Sequence, residues 1–131
     1  MSNMDTVRQI YEAFGSGDIP AILDELDENV EWDTQYESAA APWLEPRRGR
    51  ESVAGFFEAL APLQFTKFEA HTMASDANKV VAVLHIEADH KGKHYVIPNE
   101  GHLWTFGDDG KVTGYQHMTD TAVHWRMVNG Q

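Results

Sequence analysis

Residues 7–26 read Val-Arg-Gln-Ile-Tyr-Glu-Ala-Phe-Gly-Ser-Gly-Asp-Ile-Pro-Ala-Ile-Leu-Asp-Glu-Leu and predict two short amphipathic helices. Apolar residues recur at i, i+3, i+4 and i+7, which is the spacing of one helix face. Gly15 and Gly17 supply a stop for the first helix. Asp18 is placed to cap the second helix, and Pro20 falls in its first turn, where a missing N–H costs nothing. Ile19, Ile22, Leu23 and Leu26 form the predicted apolar face of this second helix.

The sequence on either side extends this helical half. Ser2 and Asp5 have the spacing of a capping box at the start of the first helix. A short apolar alternation at Val30 and Trp32 predicts a strand after the second helix. The helical spacing then returns over residues 53–60, which predicts a third helix.

From residue 63 the apolar period falls to two, which is typical of strands. Turn signals divide this half, and short connections between long strands predict an antiparallel meander with the helices on one face. We expect an α+β fold in one domain that spans residues 1–131. Alternating Val123, Trp125 and Met127 indicate that the last strand continues as an edge or dimer contact. The predicted strands are 63–74, 79–89, 93–107 and 111–125.

Composition narrows the function classes. The chain has 131 residues, 10 Lys+Arg against 21 Asp+Glu, and a formal net charge of -11. An acidic surface repels phosphate backbones, so we expect no nucleic-acid partner. No apolar stretch approaches the length of a membrane span, and the first residues do not resemble a signal peptide, so we expect no membrane partner and a cytoplasmic location. The absence of Cys excludes disulfides and thiolate chemistry.

Several segments together resemble the SnoaL-like branch of the nuclear-transport-factor-2-like superfamily. They are residues 7–26 with Val30-Glu-Trp32, 49–57, 102–106 with 109–112, and 115–122. The resemblance implies a cone, in which a strongly curved antiparallel sheet wraps around three N-terminal helices and leaves a pocket at its open end. It also implies a homodimer packed through the outer face of the sheet. The superfamily hosts ketosteroid isomerase, scytalone dehydratase, limonene epoxide hydrolase, polyketide cyclases and non-catalytic members, so fold leaves the function open.

Comparison with ketosteroid isomerase disfavours steroid isomerisation by that enzyme's three catalytic groups, an Asp base with a Tyr and a protonated Asp. Thr34 takes the position of the base, and Asp33 lies one residue away. Ile10 takes the position of the Tyr, and Tyr11 is one residue away. His102 replaces the second Asp. Because a shift of one residue turns a side chain to the other sheet face, Asp33 would need a bulge to reach the pocket.

His102 and Asp120 are the predicted catalytic pair. The resemblance places both at strands where SnoaL-like cyclases are understood to use a His and an Asp, and a carboxylate beside an imidazole suits proton transfer near neutral pH. The alternatives are a buried pair that only ties two strands together and a polar anchor in an apolar pocket. Glu100 shares the strand face of His102.

A flat or cyclic apolar metabolite is the predicted ligand. Core packing is an alternative explanation for most of the aromatic and apolar residues that could line a pocket, above all for those on the helices. Loop 35–49 exceeds the usual connection length and is a candidate lid, with a dimer contact or a mobile loop as the alternatives. The predicted substrate-binding residues are Tyr11, Phe14, Trp32, Thr34, Phe56, Phe57, Glu100, Trp104 and Met118.

The other histidines carry less specific signals. His85 and Glu87 lie opposite the wholly apolar face of their strand and are expected to point outward. Sets drawn from His85, His102, His117 and Asp120 lack the tight spacing of known metal motifs, so we predict no metal and no cofactor. Solvated positions are expected for His71, His90, His94 and His124.

Two functions remain open at this point. The first is a cofactor-free acid/base isomerase, cyclase or dehydratase acting on a cyclic or polyketide-like carbonyl compound. The second is a non-catalytic module that binds an apolar ligand or serves as a dimeric accessory domain. Epoxide hydrolysis is disfavoured because no Arg lies between residues 51 and 125.

Overall fold

The first helix of the computed structural model, which describes residues 1–37 and 39–131, is α1 (Asn3–Ser16). The predicted capping box is present, since the Ser2 side chain accepts from the Asp5 N–H and the Asp5 carboxylate accepts from the Ser2 N–H. Gly17 ends the helix with a φ of 75°. This left-handed conformation is one that glycine adopts without a steric penalty.

The second and third helices pack beside α1. Asp18 caps α2 (Ile19–Leu23) as predicted, and α3 (Arg50–Leu60) buries Val53 and Phe56. The prediction that Leu26 belongs to the second helix is wrong: Leu26 is the first, buried residue of strand β1. In a short segment, the spacing of apolar residues does not distinguish a helix from a strand, so the pattern did not show where the helix ends.

Among the described residues, six strands form one curved, unclosed sheet in the order β2-β1-β6-β5-β4-β3. The pairs from β3 to β6 are antiparallel, as the meander prediction requires, while β1 lies parallel to β6. The α+β prediction is confirmed. The strands are β1 (Leu26–Trp32), β2 (Arg47–Arg48), β3 (Gln64–Asp76), β4 (Lys79–His90), β5 (Lys93–Phe106) and β6 (Val112–Met118).

Strand β4 shows how the sheet meets the helices. Its apolar face, residues 80, 82, 84, 86 and 88, is buried, whereas His85 and Glu87 lie half-buried on the other face. The register shifts between Leu84 and Ile86 in the pairing with β5, and twice more between β3 and β4. Such bulges bend a strand and increase its twist, which curves the sheet around the helices.

The predicted last strand, 111–125, is too long. Strand β6 ends at Met118, and a fourth helix, α4 (Thr121–Asn129), follows it. The exposed Asp120 accepts from the Ala122 N–H as the N-cap, and Gly130 ends the helix in the left-handed region. Helix α4 buries His124 and Met127, which are three residues apart, as residues on one helix face are. The alternation of Val123, Trp125 and Met127, which predicted a strand, does not match this burial.

The candidate lid, 35–49, is described except for Ser38, and its Trp43 lines the cavity between the helices and the sheet. It contains a 3₁₀ turn at Pro42–Leu44 and the short strand β2. Tyr36 donates to the His117 carbonyl oxygen at 2.7 Å, and Trp43 and Leu44 are buried. None of the described helices has the length and apolar character needed to cross a membrane.

Candidate active site

A cavity of about 70 Å³ lies between the helices and the concave face of the sheet. Aromatic and aliphatic side chains make most of its wall, and imidazoles and a carboxylate gather on strands β5 and β6 and helix α4. Its lining includes Tyr11, Phe14, Trp32, Trp43, Phe56, Phe57, Phe65, Phe68, Glu100, His102, Trp104, Tyr115, His117, His124 and Met127. This is the arrangement of a small-molecule site, which is largely apolar with a few placed polar groups.

His102 lies at the centre of the first polar cluster. It is 3% exposed on β5, and its Nε2 is 2.8 Å from Oε2 of Glu100. Its Nδ1 is 2.8 Å from the hydroxyl of Tyr11 on α1. The indole N–H of Trp104 donates to the same hydroxyl at 3.1 Å. The imidazole therefore joins a carboxylate to a phenol.

Glu100 is shared by two histidines. Its Oε1 lies 3.0 Å from Nε2 of His124 on α4. The indole N–H of Trp43 donates to Nδ1 of His124 at 2.7 Å. The cluster thus runs from the 3₁₀ turn through α4 and β5 to α1.

A second carboxylate–imidazole pair adjoins the first. Asp33 is fully buried, and its two carboxylate oxygens lie 2.7 Å from the backbone N and from Nδ1 of His117 on β6. Nε2 of His117 is 3.1 Å from the hydroxyl of Tyr115. His102 and His117 are register partners on adjacent strands, and their ring centroids are 5.2 Å apart.

The backbone explains how Asp33 reaches this position. The residue follows the end of β1 and has a φ of 56°, in the left-handed region that Asp and Asn tolerate better than most residues. Its N–H donates to the Tyr115 carbonyl oxygen at 2.8 Å. Asp33 does not line the cavity, but this turn directs its side chain toward β6, where it bonds His117, which does.

The two histidines have opposite protonation tendencies. Burial lowers the pKa of His102 below its ordinary 6.5, and the nearby Glu100 carboxylate offsets only part of that effect. Burial acts the same way on His117, but the hydrogen bond to Asp33 and the charge of that carboxylate outweigh it and raise the pKa of His117 above 6.5. His102 therefore favours the neutral form and His117 the protonated form.

Glu100 and the two buried tyrosines each keep one protonation state at neutral pH. Burial alone would raise the pKa of Glu100, but the hydrogen bonds from His102 and His124 hold it well below its ordinary 4.5. Burial raises the pKa of Tyr11 and of Tyr115 above 10, so both phenols keep their protons. The site thus contains an ionised Glu100 and two neutral phenols beside the histidine pair.

The predicted contact between His102 and Asp120 is not formed. Asp120 is an exposed helix cap, and Glu100 occupies the place beside His102 that was expected for it. Thr34 and Met118 are also absent from the cavity wall, and Met118 is 45% exposed. The strand ends before Asp120, so the chain turns away from His102 at that point. The other seven predicted substrate-binding residues all line the cavity.

Two cavity histidines, His117 and His124, did not stand out in the sequence as site residues. The prediction that His124 is solvated is wrong, because α4 buries it against Trp43. His117 had no recognised partner because Asp33 is 84 residues away along the chain. Helix signals at Asp120 and Gly130 could have placed His124 on a buried helix face. His71 and His94 are exposed, as expected, and His90 is half-buried.

Glu100, His102 and His117 were also compared with a site for a divalent cation. One ligand atom from each of Glu100, His102 and His117 lies within 4.8 Å of the others, and two His with one carboxylate form a known ligand set. Each of these ring nitrogens and carboxylate oxygens already has a hydrogen-bond partner at 2.7–3.1 Å. The geometry is therefore that of hydrogen-bonded carboxylate–imidazole pairs.

The curved sheet, the enclosing helices and the pocket define a nuclear-transport-factor-2-like protein. Residues 7–115 match the SnoaL-like domain family, and the chain belongs to that family. No curated protein sequence matches the chain.

Solved structures agree on the fold. A nuclear-transport-factor-2-like protein of unknown function from Burkholderia pseudomallei superposes with a TM-score of 0.83 at 22% identity, over 98% of both chains. TerC, co-crystallised with polyporic acid, gives 0.78 at 20% identity over 97% of this chain and 98% of its own. Rv0760c from Mycobacterium tuberculosis, in complex with estradiol-17β-hemisuccinate, gives 0.76 at 14% identity over 94% and 98%. Two of these three structures contain a small molecule.

Proposed function

We propose that this protein is a cofactor-free acid/base enzyme that acts on an uncharged cyclic or polyketide-like carbonyl compound, as an isomerase, cyclase or dehydratase. The observation that carries the proposal is the pair of histidines 5.2 Å apart at one cavity, each bonded to its own buried carboxylate. Isomerisation, aldol cyclisation and dehydration share a first step, the removal of a proton from the carbon next to a carbonyl.

The two histidines divide this work. Groups whose environments push their pKa values apart are suited to opposite roles. His102, which favours the neutral form, takes the proton from carbon, and Glu100 stabilises the imidazolium that results. His117, whose pKa the Asp33 carboxylate raises, donates in its protonated form to the oxygen on which negative charge develops. The negative charge on the substrate is thereby neutralised as the carbon–hydrogen bond breaks.

The cavity wall suits a ring compound. Tyr11, Phe14, Trp32, Phe56, Phe57 and Trp104 are the aromatic residues proposed to contact it. Polyporic acid and estradiol-17β-hemisuccinate, the ligands of TerC and Rv0760c, both contain rings. At about 70 Å³ the cavity has limited room, so a multi-ring substrate requires the aromatic side chains to separate.

The second candidate function is a non-catalytic binding module, and the extent of hydrogen bonding favours it. His102, His117 and His124 have partners on both ring nitrogens. A network of this kind also ties α1, α4 and the sheet together. In that case the histidines would affect affinity and stability alone.

Exchange of α-protons in D₂O separates the two functions without knowledge of the substrate. The probe is 2-tetralone, a two-ring ketone, and its α-proton signals are followed by NMR with and without the protein. We expect exchange faster than in buffer, lost in His102→Ala and in His117→Ala. His71→Ala is the matched control, since His71 is exposed and away from the cavity. Equal exchange by all three variants would contradict the proposal.

We also propose a homodimer packed through the outer sheet face, in the cytoplasm. The outer face of β4 and β5 carries Val96, 44% exposed, opposite Glu87 in the strand register. Glu87 in turn bonds His85 and His94. Sedimentation velocity is expected to give a dimer for the wild type and a monomer for Val96→Glu, because the added carboxylate would be buried at the interface opposite Glu87. A monomeric wild type would overturn this.

A further inference from the structure

The directions of the hydrogen bonds around Glu100 follow from two groups with one role each: the Trp43 indole N–H, which only donates, and the ionised Glu100 carboxylate, which only accepts. An indole N–H only donates, so Nδ1 of His124, 2.7 Å from Nε1 of Trp43, must be without a proton. The hydrogen of His124 is therefore on Nε2. That N–H faces Oε1 of Glu100 at 3.0 Å and Oγ1 of Thr119 at 2.9 Å.

At the other end of the cluster, formed by Trp104, Tyr11 and His102, the hydrogen bonds also run toward Glu100. An ionised Glu100 carboxylate can only accept, so the proton of a neutral His102 lies on Nε2, and Nδ1 then accepts from the Tyr11 hydroxyl at 2.8 Å; Trp104 donates to the same hydroxyl oxygen. The protonated Nε2 is 2.8 Å from Oε2 of Glu100. Both carboxylate oxygens accept, and the lone pair of His102 is on Nδ1.

We propose that Trp43 and His124 are positioning residues that keep Glu100 as an ionised acceptor and thereby make Nδ1, and not Nε2, the basic nitrogen of His102. A substrate replaces the Tyr11 hydroxyl at that nitrogen, and its α-proton passes to Nδ1. The proton on Nε2 remains bonded to that nitrogen and hydrogen-bonded to Glu100 throughout. The imidazolium that forms therefore has one positive charge beside one carboxylate. The base role of His102 rests on the proposed function, whereas the tautomer of His124 follows from the geometry of its contact with Trp43.

A packing role does not account for the Trp43 contact. The Trp43 indole and the His124 ring are tilted by 54° with centroids 6.2 Å apart, and the N–H is aimed at Nδ1. Trp32 is an equally buried indole of the same cavity, and its Nε1 has no partner among the described residues. The two indoles therefore offer a matched comparison, one with a directed donor and one without.

The test is the tautomer state of His102 and His124, measured by long-range ¹H–¹⁵N NMR on the full-length protein at neutral pH. We expect both rings in the wild type to carry hydrogen on Nε2 alone. Trp43→Phe, which removes the donor and keeps an aromatic ring, should allow His124 to take hydrogen on Nδ1 and shift the His102 signals. Trp32→Phe should leave both tautomers unchanged. A wild-type His124 with hydrogen on Nδ1, or a Trp43→Phe variant with wild-type tautomers, would overturn the inference.

Kinetics with 2-tetralone give a second readout. We expect Trp43→Phe and His124→Phe to lower the kcat of exchange by about 100-fold, the scale of a misplaced catalytic group, with KM within about twofold. His124→Gln, which restores an N–H donor toward Glu100, should recover part of the rate. Equal losses for His124→Gln and His124→Phe would contradict a positioning role.

The two proposals fail in different ways. If the tautomers are as expected but no variant or wild type exchanges the probe, the hydrogen-bond assignment stands and the enzymatic function is wrong. If exchange depends on His102 while His124 carries hydrogen on Nδ1, the enzyme stands and the positioning inference is wrong. Thermal unfolding of each variant shows whether it is folded, and Trp32→Phe makes the same change of side chain as Trp43→Phe at another buried position of the cavity.

Discussion

Asp33 shows how one residue's backbone angle determines a site. Its left-handed conformation directs a fully buried carboxylate to the His117 backbone and ring. An extended residue at this position would place the side chain on the other face, which is what the alternation of β1 predicts. The carboxylate beside His102 is likewise decided by single residues: Glu100, and not the predicted Asp120, lies next to the imidazole.

Asp33→Asn tests the second carboxylate–imidazole pair. Asn tolerates the left-handed region and still accepts from the His117 N–H, but it lacks the charge that raises the pKa of His117. We expect the NMR-measured pKa of His117 to fall and the exchange rate to drop by about 100-fold. Because a raised folded-state pKa stabilises below 6.5 and that gain is lost as pH rises, the variant should lose more stability at pH 5.5 than at pH 8. An unchanged pKa of His117 would show that Asp33 does not control it.

The pH dependence of kcat/KM follows from the two shifted pKa values. His102 must be neutral to accept a proton, so the rate should rise with pH through a limb below 6.5. His117 must be protonated to donate, so the rate should fall through a limb above 6.5. The two limbs belong to the coupled pair. A profile that rises to a plateau and never falls would remove His117 as the acid; in Asp33→Asn the falling limb should move to lower pH.

Helix α4 is the element that completes the site. It brings His124 to Glu100 and places Met127 in the cavity wall, which a longer β6 could not do. Its ends carry the local signals of a helix, an Asp cap and a left-handed Gly, while its interior alternates like a strand. The capping residues were the more reliable signal because they reflect backbone hydrogen bonds and not side-chain burial.

Asp120 is expected to stabilise α4 and to take no part in catalysis. Asp120→Ala removes the acceptor for the Ala122 N–H and should lower the free energy of unfolding by about 1 kcal/mol, as measured in urea. Asp120→Asn keeps a capping side chain and should match the wild type. Both variants should retain exchange activity within about threefold of the wild type, the spread of such effects at distant sites. Loss of activity in the stable Asn variant would return Asp120 to the active site.

At the scale of the whole molecule, charge limits the ligand. The chain carries a formal charge of -11, and the cavity combines one lining carboxylate, Glu100, with the adjacent Asp33. No Lys or Arg lines the cavity among the described residues. A buried anion without a paired cation is costly, so the enclosed part of a ligand should be neutral.

A matched pair of ring compounds measures this preference. We expect 2-naphthol to bind at least about tenfold more tightly than 2-naphthoate at pH 7, a difference of about 1.4 kcal/mol, by quenching of tryptophan fluorescence. Repeating the titration at high salt separates the surface charge, which is screened, from the buried carboxylates, which are not. Equal affinities at high salt would mean that the carboxylates of the site do not face the ligand.

The sequence by itself determined the elements whose signals are local. The stripe and caps of α1, the Asp18 cap of α2 and the alternation of β4 depend on residues within a few positions of each other, and the family resemblance supplied their arrangement. The tertiary structure alone decided which charged groups meet. Glu100 reaches His124 across 24 residues and Asp33 reaches His117 across 84, because a one-residue change of register or one left-handed residue reverses where a side chain points.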